Sequence, residues 1–185
     1  MIKEILKETE KKMQKSVHSL KQEFATIRTG RATPSLLDTV KVNYYGTLTP
    51  LKQLASITTP QPNLLLLRVW DKTAVKEIEK AILKGDLGLV PQTEGETIKI
   101  PIPPLSEERR EELVKIVKRV AEEGKVSIRG HRRHARERLE ELKKKGEIPE
   151  DDAFRAEKEL QKLTDTYIEE VDKLLQMKEK EIMEE

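Results

Sequence analysis

The 185-residue chain contains no cysteine, which rules out a disulfide framework, a thiol nucleophile and a thiolate metal site. A reducing, cytoplasmic setting is compatible with that absence. Aromatic residues make up only 3%, two Phe, three Tyr and one Trp, too few to fill a large aromatic core. No apolar run exceeds Leu64 to Leu67, far below the roughly 18 residues of a membrane span, and the lysine-rich N-terminus has no signal-type apolar core. The chain is therefore expected to be soluble and unprocessed. Charge of one sign is also missing: 36 Lys and Arg stand against 34 Asp and Glu, so the net charge of +2 by itself names no partner. There is no Gly-rich phosphate loop, no nucleophile elbow and no HExxH pair, so no enzyme chemistry is signalled.

What the chain has is charge in quantity, 38% of residues, and aliphatic residues at helical spacing. Leu6, Met13, Val17, Leu20, Phe24 and Ile27 keep one apolar stripe along a first helix that is expected to stop at Thr29-Gly30. From residue 31 to about 105 the texture changes, with eight of the nine prolines and half of the glycines. Val40, Val42 and Tyr44 alternate like a strand before Gly46, Ile98, Ile100 and Ile102 repeat the pattern, and Leu64 to Trp70 reads as a more buried strand. Ala74, Val75, Ile78, Ala81 and Ile82 lie at helical spacing and end at Gly85. Tyr44-Tyr45-Gly46 reads as a hairpin with one tyrosine buried.

Ser106 offers an N-cap to a helix that carries Leu113, Val117, Val120, Ile128, Ala135, Leu139 and Leu142 to about Lys145. Gly146 and Pro149 mark a turn, and a last helix carries Leu160, Leu163, Tyr167, Val171, Leu174 and Met177. The acids Glu150, Asp151 and Asp152 suit its N-terminal dipole. The predicted fold is α+β: an elongated antiparallel three-helix bundle from residues 1–30 and 106–185, with an inserted β/α/β domain at 31–105. Linkers at 29–34 and 102–105 form a hinge, with Thr29, Gly30, Pro34, Pro103 and Pro104 as its residues, and the arrangement is L-shaped.

The strongest functional signal lies between Lys125 and Lys145, where nine Lys or Arg face three Glu. On a wheel of about 100° per residue with Ile128 at zero, Lys125, Arg129, Arg132, Arg133 and Arg136 span roughly 40° to 140°, flush with the apolar edge. The ordinary account is a solvated face with pairs such as Arg133 with Glu137 and Arg136 with Glu140. Against it, the Lys125 to Arg136 side of the stripe contains no acid of its own, which favours phosphate binding. Guanidinium forks and scarce aromatics point to folded RNA read by shape. Arg28 and Arg31 make a second basic point at the start of the insert. His131 and His134, three apart, lack the pattern of a metal site and have arginine neighbours.

The stretch Ile27-Arg28-Thr29-Gly30-Arg31-Ala32-Thr33-Pro34-Ser35-Leu36-Leu37-Asp38 and the run from Val42 to Leu51 closely resemble the bacterial ribosome recycling factor family. So do Leu54-Ala55-Ser56-Ile57, Ser106-Glu107-Glu108-Arg109-Arg110 and Gln161-Lys162-Leu163-Thr164-Asp165, and the resemblance spans essentially the whole chain. It implies a three-helix bundle with a small β/α/β domain, together shaped like a transfer RNA. It implies ribosome recycling after termination of protein biosynthesis: the bundle binds the large subunit and its ribosomal RNA, and elongation factor G drives the small domain. GTP is hydrolysed by that partner, so this chain is expected to be a cytoplasmic, monomeric non-enzyme with no cofactor, metal, membrane or small-molecule substrate. The family's RNA-contacting arginines match Arg129 and Arg132, with Arg133 beside them, and the hinge-proximal pair matches Arg28 and Arg31. The chain departs from the common pattern at Gly130 and His131, where many members have an amide and an aliphatic residue. The alternative expectation is a helical-bundle interaction adaptor or cochaperone that binds no RNA.

Overall fold

A computed structural model of the chain describes residues 1–85 and 87–184; Asp86 and Glu185 lie outside the described residues. The chain divides into two compact units, one of Met1–Phe24 with Glu111–Met183 and one built on Ala25–Arg110. Segments 25–30 and 106–110, placed with the bundle on sequence grounds, thus group with the insert.

The first unit holds most of helices α1 (Ile2–Thr26) and α3 (Glu107–Lys144) and all of α4 (Glu150–Met183). At ~1.5 Å per residue the 38 residues of α3 span about 57 Å. Its start is capped as the sequence indicates, with Ser106 Oγ accepting from the Arg109 amide at 3.2 Å. Its end is a Schellman turn: Gly146 takes a φ of 72°, its amide donates to the Lys143 carbonyl, and the Glu147 amide donates to that of Leu142. That turn reverses the chain, and α4 then runs antiparallel to α3. Lys118 meets Glu179, Lys125 meets Asp172, and Arg136 meets Glu157, so each step up α3 is a step down α4. Helix α1 is antiparallel to α3 on its other side, where Glu8 faces Arg138 and Ser16 faces Ser127.

The buried stripes differ from the sequence expectation in detail. In α1 the core takes Ile5, Thr9, Met13, Val17, Leu20 and Phe24, and Leu6 is only half-buried. In α4 it takes Ala153, Ala156, Leu160, Thr164, Tyr167, Val171 and Ile182, while Met177 is 62% exposed. Threonine at two core positions costs little because each hydroxyl donates to the carbonyl four residues back, Thr9 to Ile5 and Thr164 to Leu160. In α3, Ala121 is buried where Val120 was expected, and Val120 is half-buried.

The second unit is antiparallel throughout. Strands β1 (Lys41–Tyr44) and β2 (Thr47–Pro50) form a hairpin, and β3 (Ala55–Gln61), β4 (Leu64–Val69), β5 (Gln92–Glu94) and β6 (Thr97–Pro101) form a sheet in the order β3-β4-β6-β5. Helix α2 (Val75–Lys84) joins β4 to β5. Leu65, Leu67, Ile98 and Ile100 alternate inward on the two central strands, fully buried with Ile78 and Ile82 of α2. Pro60 sits where the register of edge strand β3 shifts, a place where a missing donor costs no ladder bond. The β1–β2 turn uses φ values of 48° at Tyr45 and 81° at Gly46, which leaves Tyr44 half-buried and Tyr45 exposed.

Helix α1 ends at Thr26, sooner than Thr29-Gly30, and the chain then bends through a buried Thr29 to Gly30 at φ 82°. Pro34 opens a 3-10 turn whose Leu36 and Leu37 enter the small unit's core. The Ala32 amide donates to the Pro62 carbonyl and the Ile102 amide to that of Asn63, both at 2.7 Å. Both linkers are therefore stitched to the single turn between β3 and β4. Pro103 and Pro104 are exposed.

Candidate nucleic-acid interface

Helix α3 is wedged between two neighbours, and its wheel explains which side chains meet which. With Ile128 at zero, positions near −40° to −120° face α1, and the basic stripe on the other side runs along α4. Acids missing between Lys125 and Arg136 are supplied in part across that second groove, from α4.

Lys125, only 18% exposed, forms an ion pair with Asp172. Arg136 Nε lies 3.5 Å from Glu157 Oε1, and Arg129 Nη1 lies 3.2 Å from Glu122 Oε1, two turns back on α3 itself. The pairs Arg133–Glu137 and Arg136–Glu140 do not form. The expectation that the stripe lacks neutralising partners is thus corrected: three of its five cations have carboxylates, two of them from α4, which sequence spacing within α3 could not reveal.

Two arginines keep their full charge. Arg132 Nη1 donates to Gln161 Oε1 at 2.8 Å, and Gln161 in turn donates from Nε2 to Asp165 Oδ1 at 2.8 Å. A neutral amide thus aims the guanidinium without cancelling it. Arg132 Nε is buried with no acceptor among the described residues. Arg133 is exposed and has no ion-pair or hydrogen-bond partner among the described residues. The pair of Arg129 with Glu122 is exposed on both sides and is worth no more than about 1 kcal/mol. A phosphate can replace that carboxylate at little cost. The three positions present forked donors along one edge of a rigid helix, suited to successive backbone phosphates.

The two basic residues near the insert separate. Arg28 Nη2 donates to the Pro103 carbonyl at 2.8 Å and its Nε is buried without a partner, so this side chain ties one linker to the other. Arg31 is exposed, with no partner among the described residues, and is the freer anion ligand.

Two lysines were not foreseen. Lys12 and Lys15 of α1 line an open pocket of about 540 Å³ with Ser16, Ser19, His131 and His134. His131 Nε2 is 3.1 Å from Ser16 Oγ, which is 3.0 Å from Ser127 Oγ. Burial lowers the His131 pKa, and Lys12 and His134 add repulsion in the same direction. Only the antiparallel register of α1 on α3 brings residues 12–16 beside 131–134. Among the described residues no group of three or more His, Asp or Glu is placed to hold a metal. In the small unit, Tyr44 donates to Asp71 Oδ2 at 2.6 Å; this bond raises the tyrosine pKa to about 12 and, with donation from Thr73, lowers that of Asp71. No described helix is long and apolar enough to cross a membrane.

Comparison with known proteins places this geometry. The family model described as ribosome recycling factor matches residues 20–183. The chain is 53% identical over 183 residues to the ribosome-recycling factor of Carboxydothermus hydrogenoformans, covering 99% of both. It is 52% identical over 184 residues to that of Bacillus subtilis, covering 100% of both. Among solved structures it resembles a solution structure of the ribosome recycling factor, with a TM-score of 0.82, 47% identity, and 98% and 97% of the two chains covered. It also resembles a chain from models of the T. thermophilus ribosome recycling factor and E. coli elongation factor G bound to the E. coli post-termination complex. There the TM-score is 0.71 at 48% identity, with 99% of each chain covered. A three-helix unit, an antiparallel α+β insert and full-length identity near one half all agree: the chain belongs to the ribosome recycling factor family.

Proposed function

We propose that this protein recycles ribosomes after translation termination: it binds the large subunit of the post-termination complex and, with elongation factor G and GTP, splits the subunits and releases the ribosome from messenger RNA. The relative solved in the context of elongation factor G and the post-termination complex supports both partners. GTP is used by elongation factor G; this chain acts in the cytoplasm as a monomer without a cofactor, and its work is mechanical, not catalytic. The bundle anchors on ribosomal RNA while the small unit, its linkers included, is driven about the two points where the chain passes between units, Phe24 to Ala25 and Arg110 to Glu111.

The observation that carries the RNA-anchoring role is the pair Arg132 and Arg133, which have no carboxylate partner among the described residues, next to the exchangeable Arg129. Guanidiniums held on a rigid helix bind phosphate without first paying to order their backbone. Binding through two or three phosphates gives an affinity that falls with salt at a log–log slope of about −2, since each duplex phosphate contributes ~0.9. Cosedimentation of the Arg132→Ala/Arg133→Ala variant with large subunits tests this: binding should weaken while helix content is unchanged. Wild-type binding by that variant would remove the anchoring role. An adaptor that binds no RNA is not favoured, and it would show no such salt slope.

A further inference from the structure

The groove on the opposite side of α3 from the arginine stripe carries a second basic constellation. Lys12 and Lys15 are exposed on α1, and His131 and His134 rise to meet them from α3, with Ser16 and Ser19 between them. None of the six lining residues is an acid. The neighbouring carboxylate one turn along α1, Glu8, is engaged by Arg138 at 2.8 Å, and this pairing holds its pKa below the ordinary value. The carboxylates Glu23 and Glu123 line a separate pocket further along the same groove, with Leu20 and Gly124. Unlike Lys125, Arg129 and Arg136 on the far face, Lys12 and Lys15 have no ion-pair partner among the described residues. Glu8 attracts Lys12 from one turn away, so the repulsion between the basic groups is only partly offset.

Geometry adds to charge. Ser16, Ser127 and His131 form a hydroxyl–hydroxyl–imidazole cluster in which the imidazole is half-buried and its Nε2 is held at 3.1 Å from Ser16 Oγ. That contact fixes the ring at the pocket wall, while the two lysines are long and mobile enough to close over whatever enters. A volume of about 540 Å³ admits a tetrahedral oxyanion with several of its waters, each of which takes about 30 Å³ in the liquid. Ammonium groups, imidazole N–H and serine hydroxyls are all donors to phosphate oxygens, and the combination supplies both full charge and directed bonds.

We infer that the Lys12, Lys15, Ser16, Ser19, His131 and His134 pocket between α1 and α3 is a phosphate-binding site, separate from the arginine stripe. In the protein at work its occupant is a backbone phosphate of RNA, so the bundle grips nucleic acid from two sides of α3. The identity of that occupant, though not the site itself, rests on the ribosome-binding function proposed above. The anion relieves the repulsion that Lys12 and His134 exert on His131, so its arrival is reported by the imidazole ring.

The three histidines provide the test. Ring resonances of the full-length protein are followed by NMR at constant pH during addition of inorganic phosphate and, separately, of a short RNA hairpin. His131 and His134 should shift saturably, and His18, exposed on α1 outside the pocket, should not. Lys12→Gln/Lys15→Gln, at two exposed positions, should bind inorganic phosphate about tenfold more weakly at this site. Arg129→Gln/Arg133→Gln should leave the phosphate response of the two rings intact. A response to both probes identifies a general phosphate site, and a response to RNA alone assigns it to the nucleic-acid backbone; either supports the inference. Unmoved rings with both probes, equal shifts at all three histidines, or a wild-type response from the double lysine variant would overturn it. Failure of ribosome binding by the arginine route appears in cosedimentation instead, so the two proposals fail separately.

Discussion

The helical unit and the small α+β unit solve opposite problems. The helical unit has long helices with one narrow buried stripe each, cores containing alanine and self-satisfied threonine, and charge everywhere else. The small unit packs fully buried Leu, Ile and Val of a four-stranded sheet against α2, and carries few charges for its length. A rod with a thin core has a large surface to present for recognition, whereas a compact core makes a body that moves as one piece. The difference gives the first unit the larger charged surface and the second the denser core.

The largest effect should come from breaking that core. Leu67→Ala, at a fully buried position of β4, removes packing between the sheet and α2 and should cost about 2–5 kcal/mol. Hydrogen exchange should show protection lost in β3, β4 and β6 while α3 and α4 keep theirs; loss in both units together would make the fold a single cooperative body. On the recognition side, Arg132→Ala/Arg133→Ala should lower large-subunit affinity by about tenfold or more and flatten the salt slope by roughly 2. Melting temperature should barely change, because neither side chain has an ion pair to lose.

A smaller change sharpens the helical unit without touching its core. Gly130 is exposed in the interior of α3, and a Cβ added there would meet nothing within 4 Å. Gly130→Ala should therefore stabilise the bundle by about 1 kcal/mol, read by urea unfolding. Unchanged stability would show that the helix's own propensity does not limit this unit. The smallest expected effect is in the small unit, where the Tyr44 hydroxyl and Thr73 stabilise the Asp71 carboxylate. A carboxyl whose pKa is depressed on folding adds stability above its unfolded pKa and loses it as pH falls through the folded value. Tyr44→Phe should raise the Asp71 midpoint in a carboxyl NMR titration towards the ordinary range and make the small unit less sensitive to acid. A midpoint that stayed put would assign the shift to Thr73 alone.

Helix α3, its Ser106 cap and its Gly146 stop were readable because capping is local: each uses atoms within a few residues. So were the alternating strands β4 and β6. Strands β2, β3 and β5 were not singled out, being short or polar and largely exposed, with a pattern that carries little hydrophobic signal. Met177 read as core because it falls at heptad-like spacing, yet it is exposed. Arg28 read as a basic point beside the insert, and the sequence did not reveal that one of its nitrogens donates to the Pro103 carbonyl, a partner 75 residues away.

The near-neutral balance of 36 cations and 34 acids hides segments of +3, +2 and −3, and within the last of these the patch from Lys125 to Lys145. Sequence alone determined that patch, its helical phase and its preference for arginine, because a 3.6-residue period assigns every side chain on one helix to a face. Which charges stay available was decided only by tertiary structure. Asp172 and Glu157 of α4 neutralise Lys125 and Arg136, Gln161 holds Arg132 without cancelling it, and α1 brings Lys12 and Lys15 to His131 and His134. Coulomb energy depends on distance in space, and the register of one helix on another sets that distance for residues far apart in the chain.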